Sequence, residues 1–420
     1  MEENKSFRLI NNCRLCNSSK LKNFINLGEI PLGNNLQTNQ EIALKCDAYP
    51  LKIIRCKNCN HFQLSIAVDP KLLYAQNYTY LSGIGLSFVS HLESYANWAY
   101  EEFNLKENSL IVDIGSNDGT CLKFFKEKNC RVLGVDPASK PAEIANKNGI
   151  DTINAFFDKS IADLIVKKYG PVDLITSHNA LAHVDNLQDV FKNIYSIIKE
   201  GGIFIFEIGY FKMVLESGCF DTTYHEHLDY HHAAPLVNHL EKLGFTILDI
   251  KTNSIQGGSL RFITQKRRAI KTITNVNNFL EIEKKSTLYN YEFLNNWETQ
   301  IKKSMKVLEI KIKEFHKSNN IIAGYGAPTK ASLLLSMANL DLKEIKFILE
   351  DNPLKVGRFM PKTGIPIVDK DFLNANKPDI MIILAWNFST EIIEKLRSFV
   401  NWPMKCIIPL PKLEIVDINK

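Results

Sequence analysis

Apolar and polar positions alternate in blocks along the middle of the chain, and the blocks predict strands and helices in turn. Short apolar runs predict buried strands at 110–114, 131–135, 172–177 and 203–208. The amphipathic stretch 187–199, followed by Gly201 and Gly202, predicts one of the helices between them. Strands that alternate with helices form a parallel sheet covered on both faces. Such a sheet binds its ligands at the carboxyl ends of the strands.

The same alternation begins again near residue 321. A short apolar run there leads through glycines into a helix, and apolar runs at 345–350 and 379–384 continue the pattern. The charged stretch 272–317 contains few helix breakers and predicts connecting helices. We therefore expect an α/β multidomain protein with domains at 1–70, 71–268 and 269–420.

The region that leads into the middle unit, 63–103, is interpreted as largely helical, because aromatic residues recur in it at roughly helical intervals. The segment 78–83 interrupts this pattern just before the first strand. It either covers a bound cofactor or packs between domains.

Composition narrows the possible functions. With 420 residues, 45% of them hydrophobic, the chain is long enough for two or three domains with cores. It has no apolar run of about 20 residues, as a membrane helix needs, and its first residues lack the apolar centre of a signal peptide. The net charge of +5 is small and spread out, which argues against nucleic acid and permits an anionic small substrate. We expect a cytoplasmic monomer that binds neither membranes nor nucleic acid.

Two Cys-x-x-Cys pairs near the N-terminus predict a zinc site. The four thiols are those of Cys13, Cys16, Cys56 and Cys59, out of nine cysteines in the chain. This usage suits a reducing cytoplasm better than a disulfide scaffold. Four thiolates complete a tetrahedral Zn²⁺ shell and leave no open position, so the predicted zinc is structural. Two unconnected pairs of reduced thiols are the alternative.

The first strand of the middle unit ends in a short polar turn between two glycines. Glycine lets the backbone come close to a ligand, and the following helix begins with free N–H groups. A second strand ends in a carboxylate suited to ribose hydroxyls. The spacing resembles the first motif of class I S-adenosylmethionine (SAM) methyltransferases; a NAD-binding turn or an ordinary α/β turn are the alternatives. The predicted cofactor-binding residues are Asp113, Gly115, Asn117, Gly119, Asp136 and Asn179.

Histidines are concentrated further along, where four of the ten in the chain lie within eight residues: His225, His227, His231 and His232. A His-Glu-x-x-His zinc-protease motif is excluded, because His225-Glu226-His227 places the second histidine too early. We favour acid–base chemistry, to which histidine and tyrosine are suited. A metal site and a polar surface loop remain as alternatives.

Several motifs follow one another in a set order. They are the two cysteine pairs, the Gly115–Gly119 turn, residues 177–183, Tyr224-His225-Glu226-His227, residues 257–261 and Gly324-Tyr325-Gly326-Ala327. This arrangement resembles the nucleotide-sugar C-methyltransferases, which methylate C3 of 4-keto-deoxysugars. The resemblance covers nearly the whole chain, and the Tyr-His-Glu-His run is its most specific part. It implies an N-terminal zinc-binding segment with four cysteine ligands, a class I SAM methyltransferase (Rossmann-like) middle domain and a C-terminal Rossmann-like α/β domain.

The resemblance also implies roles for single residues. His227 is the base, while Tyr224, Glu226 and His183 orient the sugar or stabilise an oxyanion; spacing alone does not decide between His225 and His227. The substrate's nucleotide diphosphate, dTDP or GDP, is expected between the middle and C-terminal domains. Taken alone, the C-terminal unit is interpreted as a second nucleotide-binding type of fold. A purely structural unit is the alternative. The predicted substrate-binding residues are His225, Arg261, Gly324, Gly326 and Lys330.

These roles define a reaction. The C3–H beside a C4 ketone is acidic, and its removal gives an enediolate whose carbon can attack the methyl group of SAM. We predict a SAM-dependent C-methyltransferase that methylates C3 of a nucleotide-linked 4-keto-6-deoxy sugar, for a branched deoxysugar of a surface polysaccharide or secondary metabolite. The alternatives are a sugar O-methyltransferase, a zinc-containing RNA methyltransferase and an NAD-dependent sugar oxidoreductase.

Overall fold

The structure is a computed structural model, and it describes residues 6–74, 80–267 and 274–419. The N-terminal part consists mainly of short strands. Strands β1–β5 span Phe7–Leu9, Leu21–Pro31, Ala48–Cys56, Phe62–Leu64 and Ile66–Val68, and helices α1 and α2 span Gln40–Leu44 and Pro70–Tyr74. Helix α1 begins after Asn39, whose side chain accepts hydrogen bonds from the N–H groups of Glu41 and Ile42.

Strands β2 and β3 form a long antiparallel hairpin. Leu21 pairs with Cys56 at one end of the hairpin, and Pro31 pairs with Ala48 at the other. Strand β4 pairs with β3 on one side and, on the other, with Asp229–Tyr230, a strand from the middle of the chain. The N-terminal sheet is therefore completed by the residues that directly follow the Tyr-His-Glu-His run.

The middle part is a seven-stranded sheet with helices on both faces. Its helices α3–α9 span Leu86–Glu102, Thr120–Lys126, Ser139–Lys147, Lys159–Tyr169, Leu187–Ile197, Phe211–Ser217 and Ala233–Leu243. Its strands β6–β13 span Leu110–Ile114, Arg131–Val135, Thr152–Ile153, Val172–His178, Ile198–Gly209, Asp229–Tyr230, Phe245–Asn253 and Ser259–Lys266, of which β11 belongs to the N-terminal sheet.

The strand order in this sheet is β12-β13-β10-β9-β6-β7-β8. Strand β13 runs antiparallel to both of its neighbours, and the other neighbouring pairs are parallel. Every residue of β6 is buried, as expected for a strand whose two faces are both covered. Helices α3 and α4 pack on one face, and α6, α7 and α9 pack on the other. The carboxyl ends of the parallel strands meet at one edge of the sheet.

The C-terminal part begins with two helices and continues as a second α/β unit. Helices α10–α14 span Thr274–Lys284, Tyr291–Lys317, Ala331–Met337, Lys370–Asn376 and Ser389–Phe399. Strands β14–β19 span Ile322–Tyr325, Ile345–Leu349, Ile367–Val368, Ile380–Ile383, Met404–Ile408 and Glu414–Ile418, in the order β16-β15-β14-β17-β18-β19. Helix α11 packs on the hairpin, where the Trp297 ring stacks on Phe24 with 5.8 Å between centroids.

The predicted fold class is confirmed, and two local predictions are wrong. Residues 62–68 form β4 and β5 and not a helix; their apolar residues recur with the period of two that a strand requires. Helix α7 ends at Ile197, and Gly201 and Gly202 lie within β10, where the pairing is irregular between Ile198 and Ile203. In the described ranges, no helix is both long and apolar enough to cross a membrane.

Candidate active site and metal site

The four predicted zinc ligands converge at one end of the β2–β3 hairpin. The Sγ atoms of Cys13, Cys16, Cys56 and Cys59 all lie within 4.8 Å of one another. The Cys13–Cys59 and Cys16–Cys56 sulfur pairs are both 3.6 Å apart. Four thiolates at about 2.3 Å from a central Zn²⁺ have sulfur–sulfur separations of about 3.8 Å. The donor set and its spacing therefore fit a closed tetrahedral zinc site.

A buried polar network joins this zinc region to the middle domain. The guanidinium Nε of Arg14 lies 3.1 and 3.0 Å from the two carboxylate oxygens of Asp229, and Nε2 of His61 lies 2.8 Å from one of them. Burial would raise the pKa of Asp229, but Arg14 and His61 lower it to about 2. Removing one side of a buried ion pair leaves the other charge uncompensated, so this network fixes the zinc region against the residues after the Tyr-His-Glu-His run.

The last two histidines of the cluster belong to the scaffold. The ring nitrogens of His232 lie 3.3 Å from a carboxylate oxygen of Glu283 and 3.1 Å from the carbonyl oxygen of Asn60. His231 is buried beside His61, with 5.4 Å between ring centroids. Among the described residues, the cysteine group is the one cluster with metal-ligand geometry. The histidine metal site considered from the sequence therefore finds no support.

The turn after β6 has the conformation that its glycines predict. Gly115 and Gly119 have φ of 75° and 79°, in the left-handed region that favours glycine. A Cβ at Gly115 would lie 2.2 Å from the Cβ of Ala180, so packing against the loop after β9 already requires glycine here. The carboxylate of Asp136 accepts hydrogen bonds from the N–H groups of Asn117 and Ala138, each at 2.8 Å. Asp136 therefore organises the turn, and its predicted contact with ribose hydroxyls stays a prediction.

Three buried polar atoms near this turn have no hydrogen-bond partner in the described part of the chain: Asp113 Oδ1, Ser116 Oγ and Asn179 Nδ2. Burial raises the pKa of Asp113 to about 7, against the charge of nearby His178. Unpaired buried polar groups are costly, so these atoms fit a ligand that offers both donors and acceptors. The amino-acid end of SAM, with its ammonium and carboxylate groups, offers both.

The segment before α3 is fastened over the same turn. Asn117 Oδ1 accepts a hydrogen bond from the N–H of Ser82 at 2.9 Å, and Asp118 Oδ2 accepts one from Gly83 at 2.8 Å. The Asn117 amide donates to the Tyr80 carbonyl at 3.2 Å. These contacts favour the covering role for 78–83, of which residues 78 and 79 lie outside the described ranges.

A buried polar row lies on the α3 face of the sheet, and no sequence pattern predicts that its members contact one another. The carboxylate of Glu207 accepts hydrogen bonds from His91 at 2.7 Å, His178 at 3.2 Å and the Arg261 Nε at 2.7 Å. Burial would raise the pKa of Glu207, but the two histidines and Arg261 hold it well below its usual range. Arg261 also lies over the Tyr95 ring, 5.0 Å from its centroid. Arg261 is thus engaged with the sheet, and its predicted contact with the substrate stays a prediction.

The structure brings together three of the predicted catalytic residues. His227 Nδ1 lies 2.8 Å from the carbonyl oxygen of Thr222, and His227 Nε2 lies 2.7 Å from the Tyr224 hydroxyl. Because a carbonyl only accepts, Nδ1 carries the proton and Nε2 holds the lone pair. The His183 ring lies edge-on to His227, with 4.8 Å between centroids. Burial lowers the pKa of His227 to about 4, so the imidazole is neutral at pH 7.

His225 faces a different environment. Its Nε2 lies 3.2 Å from the carbonyl oxygen of Tyr49 in β3, and its ring contacts the Tyr49 ring with 5.9 Å between centroids. Burial lowers the pKa of His225 to about 4. Spacing alone left the base undecided between the two histidines, and the assignment to His227 stays a prediction.

Glu226 lies where all three parts of the chain meet. The Asn34 amide nitrogen lies 2.9 and 3.1 Å from its two carboxylate oxygens. Burial raises the pKa of Glu226 to about 7, while Asn34 and the charge of Lys355 oppose this shift. Asn34 and Lys355 were not predicted, because each is remote from Glu226 in sequence and carries no motif of its own.

The second glycine turn lies beside the histidine segment. A Cβ at Gly326 would lie 2.7 Å from Ala385, and one at Gly324 would lie 3.0 Å from the side chains of Ile348 and Leu384. Lys330 Nζ lies 3.4 Å from a carboxylate oxygen of Asp221. Trp386 donates its indole N–H to the same oxygen at 2.5 Å, and the Lys330 ammonium lies 4.4 Å from the centre of the Trp386 ring. Asp221 is fully buried and precedes Thr222, the residue that holds His227.

Comparisons with known proteins identify the class. Residues 13–74 match the family model "Putative zinc binding domain", residues 90–250 match "Methyltransferase domain", and residues 254–411 match "C-methyltransferase C-terminal domain". The second match covers the parallel strands of the middle sheet and the cofactor turn. The chain is a SAM-dependent methyltransferase. The NAD-dependent alternative for the glycine turn is therefore wrong, and the SAM and zinc predictions agree with these matches.

The methyltransferase also resembles individual proteins. It is 27% identical to the C-methyltransferase NovU of Streptomyces niveus, over 98% of each chain. It is 22% identical to a ubiquinone biosynthesis O-methyltransferase of Vibrio parahaemolyticus over 25% of this chain and 46% of that one. A solved SAM-dependent methyltransferase of Clostridium acetobutylicum aligns at 14% identity with a TM-score of 0.33, over 42% of this chain and 91% of that one.

We expect the purified methyltransferase to contain about one zinc ion per chain, held by thiolates. Cys16→Ser should lose the ion and unfold at a lower temperature, because zinc binding contributes directly to folding. Cys46→Ser is the control, since Cys46 is buried outside the cluster. Metal analysis and thermal unfolding measure both effects. A normally folded protein without zinc would contradict the assignment, as would a Cys16→Ser variant that loses turnover but keeps its stability.

Asp113→Asn tests the cofactor turn. The raised pKa of Asp113 means that stability falls as the pH rises from 3.8 to about 7. The variant has no buried carboxyl group that ionises at high pH. At pH 8 it should therefore unfold at a higher temperature than the wild type. It should also bind S-adenosylhomocysteine at least about tenfold more weakly, because it loses the carboxylate that we expect to pair with the ligand ammonium.

Calorimetry with S-adenosylhomocysteine and thermal unfolding at pH 5 and pH 8 check the two effects separately. Asp163→Asn, an exposed carboxylate on α6, is the matched control. Equal affinity of Asp113→Asn and wild type would show that the turn does not hold the amino-acid end of the cofactor.

Proposed function

We propose that this methyltransferase methylates C3 of a nucleotide-linked 4-keto-6-deoxy sugar, for a branched deoxysugar of a surface polysaccharide or secondary metabolite. The observation that carries the proposal is a half-buried, neutral His227 whose Nε2 lone pair lies 2.7 Å from a tyrosine hydroxyl. The full-length similarity to the C-methyltransferase NovU and the match of residues 254–411 to a C-methyltransferase domain support it.

His227 acts as the base. The C3–H bond of the sugar breaks, its proton passes to Nε2 of His227, and the bonding electrons move onto the C4 oxygen. Burial keeps the imidazole unprotonated before the reaction. The Thr222 carbonyl accepts a hydrogen bond from Nδ1–H at 2.8 Å. This bond fixes the tautomer and stabilises the imidazolium that forms.

The negative charge on the C4 oxygen needs hydrogen-bond donors. The Tyr224 hydroxyl is already beside the base, and it can donate to the oxyanion once the substrate replaces its bond to His227. His183 packs edge-on against His227 and limits the positions that the imidazole can take. Glu226 orients a sugar hydroxyl. SAM, when bound, supplies the electrophilic methyl group that C3 attacks.

A sugar O-methyltransferase needs only a base at a hydroxyl group, so the same imidazole would serve it. The similarity to the O-methyltransferase covers only a quarter of the chain, whereas the similarity to the C-methyltransferase covers 98%. This difference in coverage favours carbon as the acceptor.

His227→Asn should lose about 10²–10⁴-fold in kcat, the usual contribution of a general base, and should keep both ligands bound. Solvent isotope exchange is the sharper measurement. In D₂O, with S-adenosylhomocysteine in place of SAM, the wild type should exchange deuterium into C3 of the sugar and His227→Asn should not. His225→Asn is the comparison that separates the two histidines. Exchange by His227→Asn at the wild-type rate, or methylation on oxygen, would overturn the mechanism.

Lys330→Ala tests the substrate-binding role of the second glycine turn. Loss of a cation near the diphosphate should raise the KM for the nucleotide sugar by about tenfold and leave the Kd of S-adenosylhomocysteine unchanged. Trp386→Phe is the matched variant, because it removes the indole N–H from Asp221 and keeps an aromatic ring beside Lys330. It should lower kcat and leave KM unchanged, since it loosens the turn that carries Thr222. Lys330→Ala could instead behave like Trp386→Phe, with a lower kcat and an unchanged KM. That result would mean that Lys330 acts by holding Asp221 and does not contact phosphate.

A further inference from the structure

We propose that Asn34, a residue of the zinc-binding region, is a positioning residue for Glu226, so that the zinc-binding region completes the active site. The proposal rests on the proposed function for the role of Glu226 in turnover. Its geometric part rests only on contacts within the free protein.

The Asn34 side chain is held from two sides. Its amide nitrogen lies 2.9 and 3.1 Å from the carboxylate oxygens of Glu226. Its Oδ1 accepts a hydrogen bond from the Thr329 hydroxyl at 2.9 Å. The Glu226 carboxylate only accepts, so the NH₂ end of the amide faces it, and the Thr329 hydroxyl holds the other end by donating to Oδ1. Asn34 therefore offers Glu226 a donor in one fixed orientation.

The backbone beside Asn34 is pressed against the C-terminal domain. A Cβ at Gly33 would lie 2.0 Å from the carbonyl oxygen of Thr329, so any side chain at this position would push the loop away. Further along the loop, the backbones of Gln37 and Phe359 exchange hydrogen bonds at 3.1 and 2.8 Å. The Lys362 N–H donates to the Ala43 carbonyl at 2.7 Å. These contacts keep the loop at one distance from Glu226.

The zinc site lies at the opposite end of the same hairpin. Leu21 pairs with the zinc ligand Cys56, and Pro31 pairs with Ala48 where the loop containing Asn34 begins. The zinc cluster fixes the far end of β2 and β3, and the C-terminal domain fixes the near end. A structural metal thereby contributes to the position of one side chain in the active site.

The contact matters because Glu226 is buried. Only 4% of its surface is exposed, and a buried carboxylate is stabilised by the donors and charges around it. Asn34 supplies the hydrogen bonds, and Lys355 supplies the positive charge. Lys355 is itself held by the Ala327 carbonyl at 2.9 Å and faces Glu350, whose charge also acts on it. Without Asn34, Glu226 should hold its proton to a higher pH.

The test is a titration of Glu226 in the free, zinc-loaded protein. Glutamate labelled with ¹³C at the side-chain carboxyl reports each pKa by NMR, and Glu226→Gln assigns the signal. Asn34→Ala should raise the midpoint of Glu226 by about one to two pH units, the loss of hydrogen bonds to a charged group. Asn35→Ala is the matched control: Asn35 is the next residue of the same loop, and its side chain contacts Gln37 and Cys46 instead.

Two threonine variants test the fixed amide orientation without changing the loop. Thr329→Val removes the hydroxyl at nearly constant shape and should raise the Glu226 midpoint, by less than Asn34→Ala does. Thr329→Ser keeps the hydroxyl and should return the midpoint toward the wild-type value. In turnover, Asn34→Ala should lower kcat by about tenfold and leave the Kd of S-adenosylhomocysteine unchanged.

A Glu226 midpoint that stays at the wild-type value in both Asn34→Ala and Thr329→Val would overturn the proposal. The titration needs no substrate, so it tests the role of Asn34 even if the wild type fails to exchange solvent deuterium into C3 of the sugar. That failure would instead refute the proposed function.

Discussion

Residues 220–232 are held by contacts from every part of the chain. Asp221 is buried against Lys330 and Trp386 of the C-terminal domain, and Asp229 is buried against Arg14 of the zinc region. Each contact takes a carboxylate out of water, which is tolerated only when the carboxylate is paired and hydrogen-bonded. The segment therefore reaches its conformation only when the three parts are assembled. The geometry of His227 is a property of that assembly and not of the methyltransferase sheet alone.

Burial sets the protonation states at this site more than any single charge does. It lowers the pKa of His227 to about 4 and raises that of Glu226 to about 7, because it disfavours the charged form of each. The pKa of the Glu226 carboxyl group is therefore higher than that of the His227 imidazole, which is the reverse of their usual order. Near pH 7 the histidine is a neutral base while the carboxyl group still carries its proton part of the time. Two neighbouring groups whose pKa values are pushed apart are typical of acid–base sites.

Short buried strands were predictable, and contacts between distant residues were not. The predicted strands 110–114 and 131–135 coincide with β6 and β7, because a run buried on both faces leaves a continuous apolar signal. Residues 63–68 form strands and not the predicted helix, because their own alternation, and not the aromatic spacing of the whole stretch 63–103, matches their structure. Asn34 lies 192 residues from Glu226, and Trp386 lies 165 residues from Asp221. Nothing in the local sequence pattern marks such pairs, since only the tertiary fold brings them together.

The low pKa of His227 also limits how the proposed reaction can be catalysed. An imidazole with a pKa of about 4 is a weak base, and proton transfer is most efficient when the pKa of the base lies near the working pH. Most of the rate must then come from stabilising the charge that develops on the C4 oxygen, since fixed donors in a site without water act strongly. The Tyr224 hydroxyl has to leave His227 Nε2, 2.7 Å away, in order to donate to that oxygen. Its departure would also free the lone pair, so one movement of the tyrosine would both expose the base and supply the oxyanion donor.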